Sequence, residues 1–392
     1  MSVEQPRIKG WCPGAWRPMP TGDGLLVRIR PPFGQLTRTQ MLALCEAAER
    51  FGSGLIELTN RANLQLRGVS EAVWRSLMAF LVEHELIDPD PHGERHPPLL
   101  LAPDWQAGDA THEVARLLSA RRDELPELPG KIGFAIDASG FPLLSDVSAD
   151  FRLEQSATGA LLVRADGHAL GTPMASADAA VEQLIRLAHW FVESGGRDAG
   201  RMCRHDVPLP SWALATQAPA KARASLALGS LTLEKRAVEK QTQGMLLGLP
   251  FGRVAASVLR SALEPESVTS VRVTPWRRLL IIGAPAIPVA GLLHDNRDPR
   301  LSMDVCPGAP YCEQASVATL GLAEGVSSLV RGSLHVSGCS KGCARCQAAE
   351  VSLVGRSGRY DVVLNGRADS TPDMTGLSES DVIAYLKNRL EF

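Results

Sequence analysis

RPPFGQL (Arg30–Leu36) returns as GLPFGRV (Gly248–Val254), and in both places the Pro-Phe-Gly follows an apolar run, GLLVRI in the first and GMLLGL in the second. Outward from that pair, IELTNRANLQL (Ile56–Leu66) aligns with VRVTPWRRLLI (Val271–Ile281). Farther on, DGHALGTP (Asp166–Pro173) aligns with NGRADSTP (Asn365–Pro372), with Gly, Ala, Thr and Pro in register. One short match arises by chance. Three in the same order, at nearly constant offset, imply that the chain is written twice.

The first copy reads as a strand over Leu25–Arg30, then a helix from Thr39 to Phe51 with Leu42, Cys45 and Ala48 on one face and Gly52 ending it. Strands follow at Leu55–Thr59 and Leu64–Arg67, then a helix over Glu71–Leu86 that turns Trp74, Leu77, Met78 and Leu81 inward. Strand–helix–strand–strand–helix is the order of a ferredoxin-like α+β unit. The second copy repeats strand, helix and two strands before departing into the Pro-rich GAPAIPVAG (283–291). Each half also ends in an amphipathic helix, Ala177–Glu193 and Ser380–Leu390. The expected fold is α+β and internally duplicated, with two ferredoxin-like halves related by a pseudo-two-fold axis. Five segments are expected: a ferredoxin-like half-domain over 1–98, an α+β domain over 99–206, a linker with a surface helix over 207–243, a second half-domain over 244–300, and a cysteine-bearing α+β domain over 301–392.

With 45% hydrophobic and 21% charged residues, a chain of 392 has the composition of a globular protein with real cores. No uninterrupted apolar run reaches the ~18 residues of a membrane span. MSVEQPRIKGWCPG at the start lacks the apolar stretch of a signal peptide, so a cytoplasmic protein is expected. A net charge of −2 argues against nucleic-acid binding. The 34 arginines against seven lysines fit a GC-rich genome; they also fit a polyacid ligand, because the guanidinium fork grips carboxylates bidentately.

Sulfur is the second signal. HVSGCSKGCARC (His335–Cys346) and CPGAPYC (Cys306–Cys312) hold five of the eight cysteines, while Cys12, Cys45 and Cys203 are scattered. Cys45, on a helix core face, is expected to be a buried thiol. Where thiols stay reduced, clustered cysteines bind metal more often than they form disulfides. Zinc favours paired C-x₂₋₄-C halves, and here the first pair is C-x₅-C, although Cys343 and Cys346 form C-x₂-C. An iron–sulfur cluster suits four thiolates on Gly- and Pro-rich loops better, with Cys346 an alternative to Cys343 as the fourth ligand.

These motifs resemble the nitrite/sulfite reductase family. LTNRANLQLRG (58–68) resembles the family's conserved strand, LPGKIGFAID (128–137) its basic strand, and the C-x₅-C … C-x₃-C spacing its cluster motif. The resemblance implies a [4Fe–4S] cluster on Cys306, Cys312, Cys339 and Cys343. In the reductases the last of these also bridges to a sirohaem iron, and basic side chains clasp the anion. Here Lys131 matches one Lys of a Lys-x-Lys pair whose partner position is Gly133, and HPPLLLAPDW (96–105) lacks the family's Arg. A clasp short of charge stabilises a developing oxyanion less well.

GWCPGAWRPMPTGDGLLVRIRP (10–31) and HVSGCSKGCA (335–344) resemble more closely a branch of the family that takes a tetrapyrrole as substrate. That resemblance implies a monooxygenase of aerobic cobalamin biosynthesis, hydroxylating precorrin-3A at C20 with O₂ and closing a γ-lactone. The implied cofactors are the [4Fe–4S] cluster and a mononuclear non-haem iron, with NADH as electron source. The implied partners are the tetrapyrrole polyacid and O₂. Alternatives are a sirohaem-dependent sulfite or nitrite reductase, a non-catalytic iron–sulfur electron carrier and a zinc module. On the tetrapyrrole reading Arg28, Arg30, Arg61, Asn63, Arg67 and Lys131 grip the carboxylates, with Arg277 and Arg278 as second-half counterparts. Strand alternation puts Arg28 with Arg30, and Arg61 with Asn63 and Gln65, on shared faces. Cys12, in the WCPG stretch, is either near this pocket or an ordinary thiol, and Lys341 faces either substrate or water. For a two-His, one-carboxylate iron, the candidates are His92, Glu94 and His96; His205 with Asp206; and His294 with Asp295, none of them favoured.

Overall fold

A computed structural model describes residues 11–222, 226–233, 242–285, 288–330 and 332–390. Residues 1–10 of the first expected segment, and 223–225 and 234–241 of the expected linker, lie outside the described residues.

The described residues form four five-stranded sheets. The first is ordered Met19–Thr21, Gly24–Ile29, Leu64–Val69, Leu55–Leu58 and Arg253–Ala255. Helices Arg38–Phe51 and Glu71–Glu83 belong to the same half. Thr37 starts the first helix with a reciprocal cap: its hydroxyl accepts from the Gln40 N–H at 3.2 Å, and Gln40 Oε1 accepts from the Thr37 N–H at 3.0 Å. Met41, Leu44, Cys45 and Ala48 on that helix are fully buried, as are Val27, Ile29, Leu64 and Leu66 on the strands. The ferredoxin-like order is therefore as expected, and Cys45 is a core thiol, pushed up to about 12 by burial.

The last strand of that sheet comes from the other half. Arg253–Ala255 directly follows the second Pro-Phe-Gly and pairs antiparallel with Leu55–Leu58, Val254 opposite Ile56. The exchange is reciprocal. The sheet of Gly229–Leu233, Thr242–Gly248, Arg278–Ile282 and Ser270–Val273 is completed by Gln35–Thr37, which follows the first Pro-Phe-Gly and sets Leu36 opposite Val271. Each half covers an edge that the other would leave open, and Leu36, Leu44, Val254, Leu259 and Val271 share one core.

At both turns the phenylalanine is left-handed, Phe33 at φ 52° and Phe251 at φ 53°. The following glycine N–H closes each turn at 3.0 Å, Gly34 onto Pro31 O and Gly252 onto Leu249 O. Each ring packs into the domain that follows its own half, Phe33 with Trp105 and His112, Phe251 with the core of the cysteine-bearing domain.

Those two domains repeat one topology. Leu99–Leu101, Phe134–Ile136, Phe151–Gln155, Leu161–Ala165 and Thr172–Met174 form one sheet; Met303–Val305, Leu334–Ser337, Ala349–Arg356, Arg359–Gly366 and Met374–Leu377 form the other. In both, the first two pairings are parallel and the last two antiparallel. The DGHALGTP and NGRADSTP matches fall where the fourth strand passes to the fifth. Helices Ala177–Glu193 and Glu379–Leu390 close the halves.

The expected linker is described only in part. The described part of 207–243 holds no α-helix, only the short turn Ser211–Ala213 and the strand Gly229–Leu233, which extends the second-half sheet by pairing with Thr242–Gly248. No described helix is long and apolar enough to cross a membrane.

Candidate functional site

One face of the first sheet is apolar and buried against helices. The other carries a polar row running across the strands in register: Arg28 opposite Gln65, Gln65 opposite Glu57, Glu57 opposite Arg253. Arg28 donates to Gln65 Oε1 from Nη2 at 2.6 Å and from Nε at 3.1 Å. The Gln65 amide donates to Glu57 Oε2 at 3.3 Å, and Arg253 pairs with Glu57 Oε1. Symmetry makes the row informative. At the related positions of the second sheet, Leu246 faces Leu280, Leu280 faces Arg272 and Arg272 faces Gln35. Both leucines are fully buried, and Arg272, whose Nε donates to Gln35 Oε1 at 2.7 Å, uses Nη1 to cap Pro103 O and Trp105 O at 2.8 and 2.6 Å, its guanidinium 4.0 Å above the Trp105 ring. The fold accepts leucine at two positions of this row, so the polar side chains of Arg28 and Gln65 are not demanded by the fold.

Arg28, Arg30 and Arg61 gather at one edge of this face. Burial lowers the Arg28 guanidinium to about 10; Cys12, within hydrogen-bonding reach, opposes that, while Arg30 and Arg61 reinforce it. Arg61 is lowered for the same first reason, with Arg201 the next largest cause. It is half-buried, and its guanidinium makes no hydrogen bond or ion pair with a described residue. Three crowded cations, one of them unpaired, make an anion-binding surface. Cys12 thus sits beside the arginines. Arg30 Nη1 also tethers the neighbouring loop, donating to Glu94 O at 3.0 Å.

Two expectations about this set change. Arg61 is not on a strand beside Asn63: it sits in the five-residue turn Thr59–Asn63, closed by the Thr59 N–H onto Asn63 O at 3.0 Å, with Ala62 left-handed at φ 53°. Arg67 is a buried strut. Its side chain is 7% exposed, forks onto Asp23 at 3.0 and 3.2 Å and donates to Tyr311 O at 2.7 Å. Asn63 is buried, whereas Lys131 is exposed and forms no ion pair with a described residue. The second-half counterparts also differ: the turn 274–278 puts Trp276 where Arg61 stands, Arg277 pairs with Asp304, and Arg278 donates to Leu226 O.

Cys306, Cys312, Cys339 and Cys343 converge on the loops after strands Met303–Val305 and Leu334–Ser337. Burial raises the Cys306 thiol, opposed by hydrogen bonds from Gly338, Gly308 and Ser337, and Cys339 acts on it too. The Gly338 N–H lies 3.1 Å from Cys306 Sγ. Cys339 is also raised by burial, with the Lys341 N–H opposing and Cys312 reinforcing. Cys343, on an open loop surface but hemmed in by its neighbours, is pushed up to about 11; Lys341 opposes, and Cys339, Cys306 and Cys312 add to it. Cys306, Cys339 and Cys343 each respond to at least one other of the four, Cys312 acts on two of them, and Cys346 is not among the largest influences on any of the three. Left-handed Gly308 (φ 68°) and Gly342 (φ 61°) bend the loops around them. In the first half the position of Cys306 is Ala102: each donates its N–H to the adjacent strand, Ala102 to Ile136 O at 3.0 Å and Cys306 to Val336 O at 3.1 Å.

Thiols this desolvated stay protonated unless a metal displaces the proton, and N–H donors aimed at sulfur suit the ligands of an iron–sulfur cluster. Among the described residues no three His, Cys, Asp or Glu stand close enough to hold a single ion. A tetrahedral zinc, whose sulfurs would lie ~3.8 Å apart, therefore has no preformed site among the described residues. Nor is a two-histidine, one-carboxylate set formed among the described residues. All nine histidines lie in described residues, and several of the candidates have other partners. Glu94 accepts from the Ala15 and Trp16 N–H groups at 2.6 and 3.2 Å, and His96 meets Asp123 at 3.2 Å. His205 bonds Ser194 Oγ at 2.7 Å, and His294 bonds the Val289 N–H at 2.9 Å.

Sequence reasoning passed over Arg201, Glu57 and Arg253. Arg201 is anchored on buried Asp150 at 2.8 Å and reaches the arginine cluster only through the fold. The Glu57–Arg253 pair spans the strand exchange; the aligned Glu57 and Arg272, of opposite charge, were its only trace in sequence.

Against known proteins, residues 17–84 match the family described as the nitrite/sulfite reductase ferredoxin-like half domain. A precorrin-3B synthase from Sinorhizobium sp. is 32% identical over 400 aligned positions, covering 93% of this chain and 84% of that protein. The sulfite reductase [NADPH] hemoprotein beta-component of Xanthomonas campestris pv. campestris is 29% identical, over 36% of this chain and 31% of its own length. The structure of Mycobacterium tuberculosis NirA protein superposes with a TM-score of 0.62 over 94% of this chain and 80% of NirA, at 14% identity, and shares the fold.

Proposed function

Because the chain belongs to the precorrin-3B synthase family, built on the duplicated nitrite/sulfite reductase fold, we propose that it hydroxylates precorrin-3A at C20 with O₂ and closes the γ-lactone that makes precorrin-3B. One oxygen atom enters the substrate; the other leaves as water, with two electrons from a donor such as NADH. The observation that carries this reading is Arg61, without a hydrogen-bond or ion-pair partner for its guanidinium among the described residues, beside Arg28 and Arg30. A tetrapyrrole fringed with carboxylates supplies the counter-charges these desolvated guanidinia lack.

Arg28, Arg30 and Arg61 bind and orient the ring by its edge carboxylates, and Arg201 adds positive potential while anchored on Asp150. Cys306, Cys312, Cys339 and Cys343 hold the [4Fe–4S] cluster, which supplies one-electron transfer when bound. The Gly338 and Lys341 N–H groups and the Ser337 hydroxyl steady the ligand sulfurs. No two-histidine, one-carboxylate set is formed among the described residues, and the proposal assigns a mononuclear iron no ligand.

The test is turnover of anaerobically reconstituted protein with precorrin-3A, NADH and ¹⁸O₂. A lactone product carrying one ¹⁸O is expected. Extractable sirohaem with sulfite- or nitrite-dependent oxidation of the reductant, and no change in precorrin-3A, would overturn the reading.

A further inference from the structure

We propose that Gln65, Glu57 and Arg67 are positioning residues that join the carboxylate-binding arginines to the loop carrying Cys312, so that a polyacid docked on Arg28 alters the electronic state of the cluster. The inference rests on the reading above and adds to it a coupling between the two sites.

The groups form one continuous chain. Arg28 donates to Gln65, Gln65 donates to Glu57 at 3.3 Å, and Glu57 Oε2 lies 3.8 Å from Arg67 Nη1. Arg67 Nη2 then donates to Tyr311 O at 2.7 Å. That oxygen shares a peptide plane with the Cys312 N–H, which itself donates to Gly308 O at 2.9 Å. Gly22 presses the same loop from the N-terminal turn: a Cβ there would sit 2.4 Å from Pro310 O. The loop between Cys306 and Cys312 is thus held by the first sheet, through Arg67 and Gly22, as well as by its own domain.

The chain is buried, with Glu57 and Arg67 side chains 8% and 7% exposed. Buried charge is costly and needs partners on every side, yet the symmetry-related row carries Leu246 and Leu280. The same architecture stands with leucine at the positions of Arg28 and Gln65. What the first sheet adds is its hold on the cysteine loop, through Arg67 and Gly22, and the cluster of Arg28, Arg30 and Arg61. When a carboxylate takes up Arg28 N–H groups, Gln65 loses donors and its amide is freed toward Glu57. Arg67 is the next group to respond, and it fixes the peptide beside a cluster ligand. Hydrogen bonding around ligand sulfur is one of the levers that set cluster potential.

The experiment uses the full-length cluster-loaded protein and uroporphyrin III, an eight-carboxylate porphyrin, as probe. The EPR spectrum and midpoint potential of the cluster are recorded with and without it. Wild type is expected to shift on binding. Gln65→Met is expected to keep its iron and sulfide and bind the probe, and to lose the shift; Arg67→Lys, which keeps the charge but not the fork, is expected to lose it too. If Gln65→Met fails to fold, Gln65→Asn, too short to reach Glu57, makes the same comparison. A wild-type shift in these variants would overturn the coupling and show that the probe acts on the cluster directly. Binding without any shift in wild type would also overturn it while leaving the proposed function standing. Failure of wild type to bind the probe or to assemble a cluster would bring down the functional reading itself.

Discussion

Phe33 and Phe251 share one backbone conformation, both left-handed with φ within a degree of each other, and each drives its ring into the domain that follows its own half. A phenylalanine in that region is held against the steric cost of its Cβ. The pair reports what the duplication preserves: a turn that sends one strand to the opposite sheet and one aromatic ring into the next core.

Phe251→Ala is expected to lower stability by about 2–3 kcal/mol, at the low end for a core phenylalanine because the ring is only partly buried. Phe251→Gly loses the same ring but escapes the left-handed penalty of about 1–2 kcal/mol. The glycine variant should therefore match or exceed the alanine variant in urea midpoint, the reverse of the usual order. Alanine clearly ahead of glycine would contradict the conformation.

Cys306→Ser is expected to abolish cluster assembly, because Cys306 is the most enclosed of the four thiols and already accepts the Gly338 N–H. Cys346→Ser is expected to leave iron and acid-labile sulfide at wild-type levels. Counting both elements in the purified variants decides the matter. A full complement in Cys306→Ser would remove Cys306 from the ligand set, and none in Cys346→Ser would place Cys346 in it.

The duplication and the cysteine motif were legible because both are written in local chemistry: Gly34 and Gly252 where φ is positive, and cysteines at loop spacing. The strand exchange was not, since nothing in QLT or RVA says which sheet edge the strand will meet. Side-chain direction failed where the period broke. Alternation placed Arg61 with Asn63, but left-handed Ala62 puts a turn there, and the repeat had already set Trp276 opposite Arg61. Arg67 obeys the alternation yet ends as a strut, because its partners Asp23 and Tyr311 lie far away in sequence. Arg201 joins the site through a buried Asp150 that no motif marked.

Arg61→Ala should weaken binding of an eight-carboxylate tetrapyrrole by roughly 10- to 100-fold, as expected for one lost charge-assisted contact of about 1.5–3 kcal/mol. Iron and sulfide content should stay unchanged. Lys131→Ala, at an exposed position without an ion pair, should weaken binding far less. Fluorescence titration with uroporphyrin at two salt concentrations reads both effects, and equal losses in the two variants would demote Arg61 to a surface charge.

His335 supplies a pH test. It is fully buried beneath the cysteine loop, and neither ring nitrogen has a partner among the described residues. Burial lowers it to about 4, against Asp304 and with Arg345 and Arg277. A base with a depressed folded pKa stays neutral in the native state while the unfolded chain takes up its proton, so stability falls as pH drops below the ordinary value of ~6.5. Between pH 7 and pH 5 the loss from this one group is about 2 kcal/mol. His335→Gln removes the titration, so its urea midpoint should fall less than that of wild type over the same interval. Both proteins should be compared without cluster, so that acid release of sulfide does not enter. Parallel pH profiles would mean that His335 is protonated in the native state, and that the Asp304 carboxylate outweighs burial.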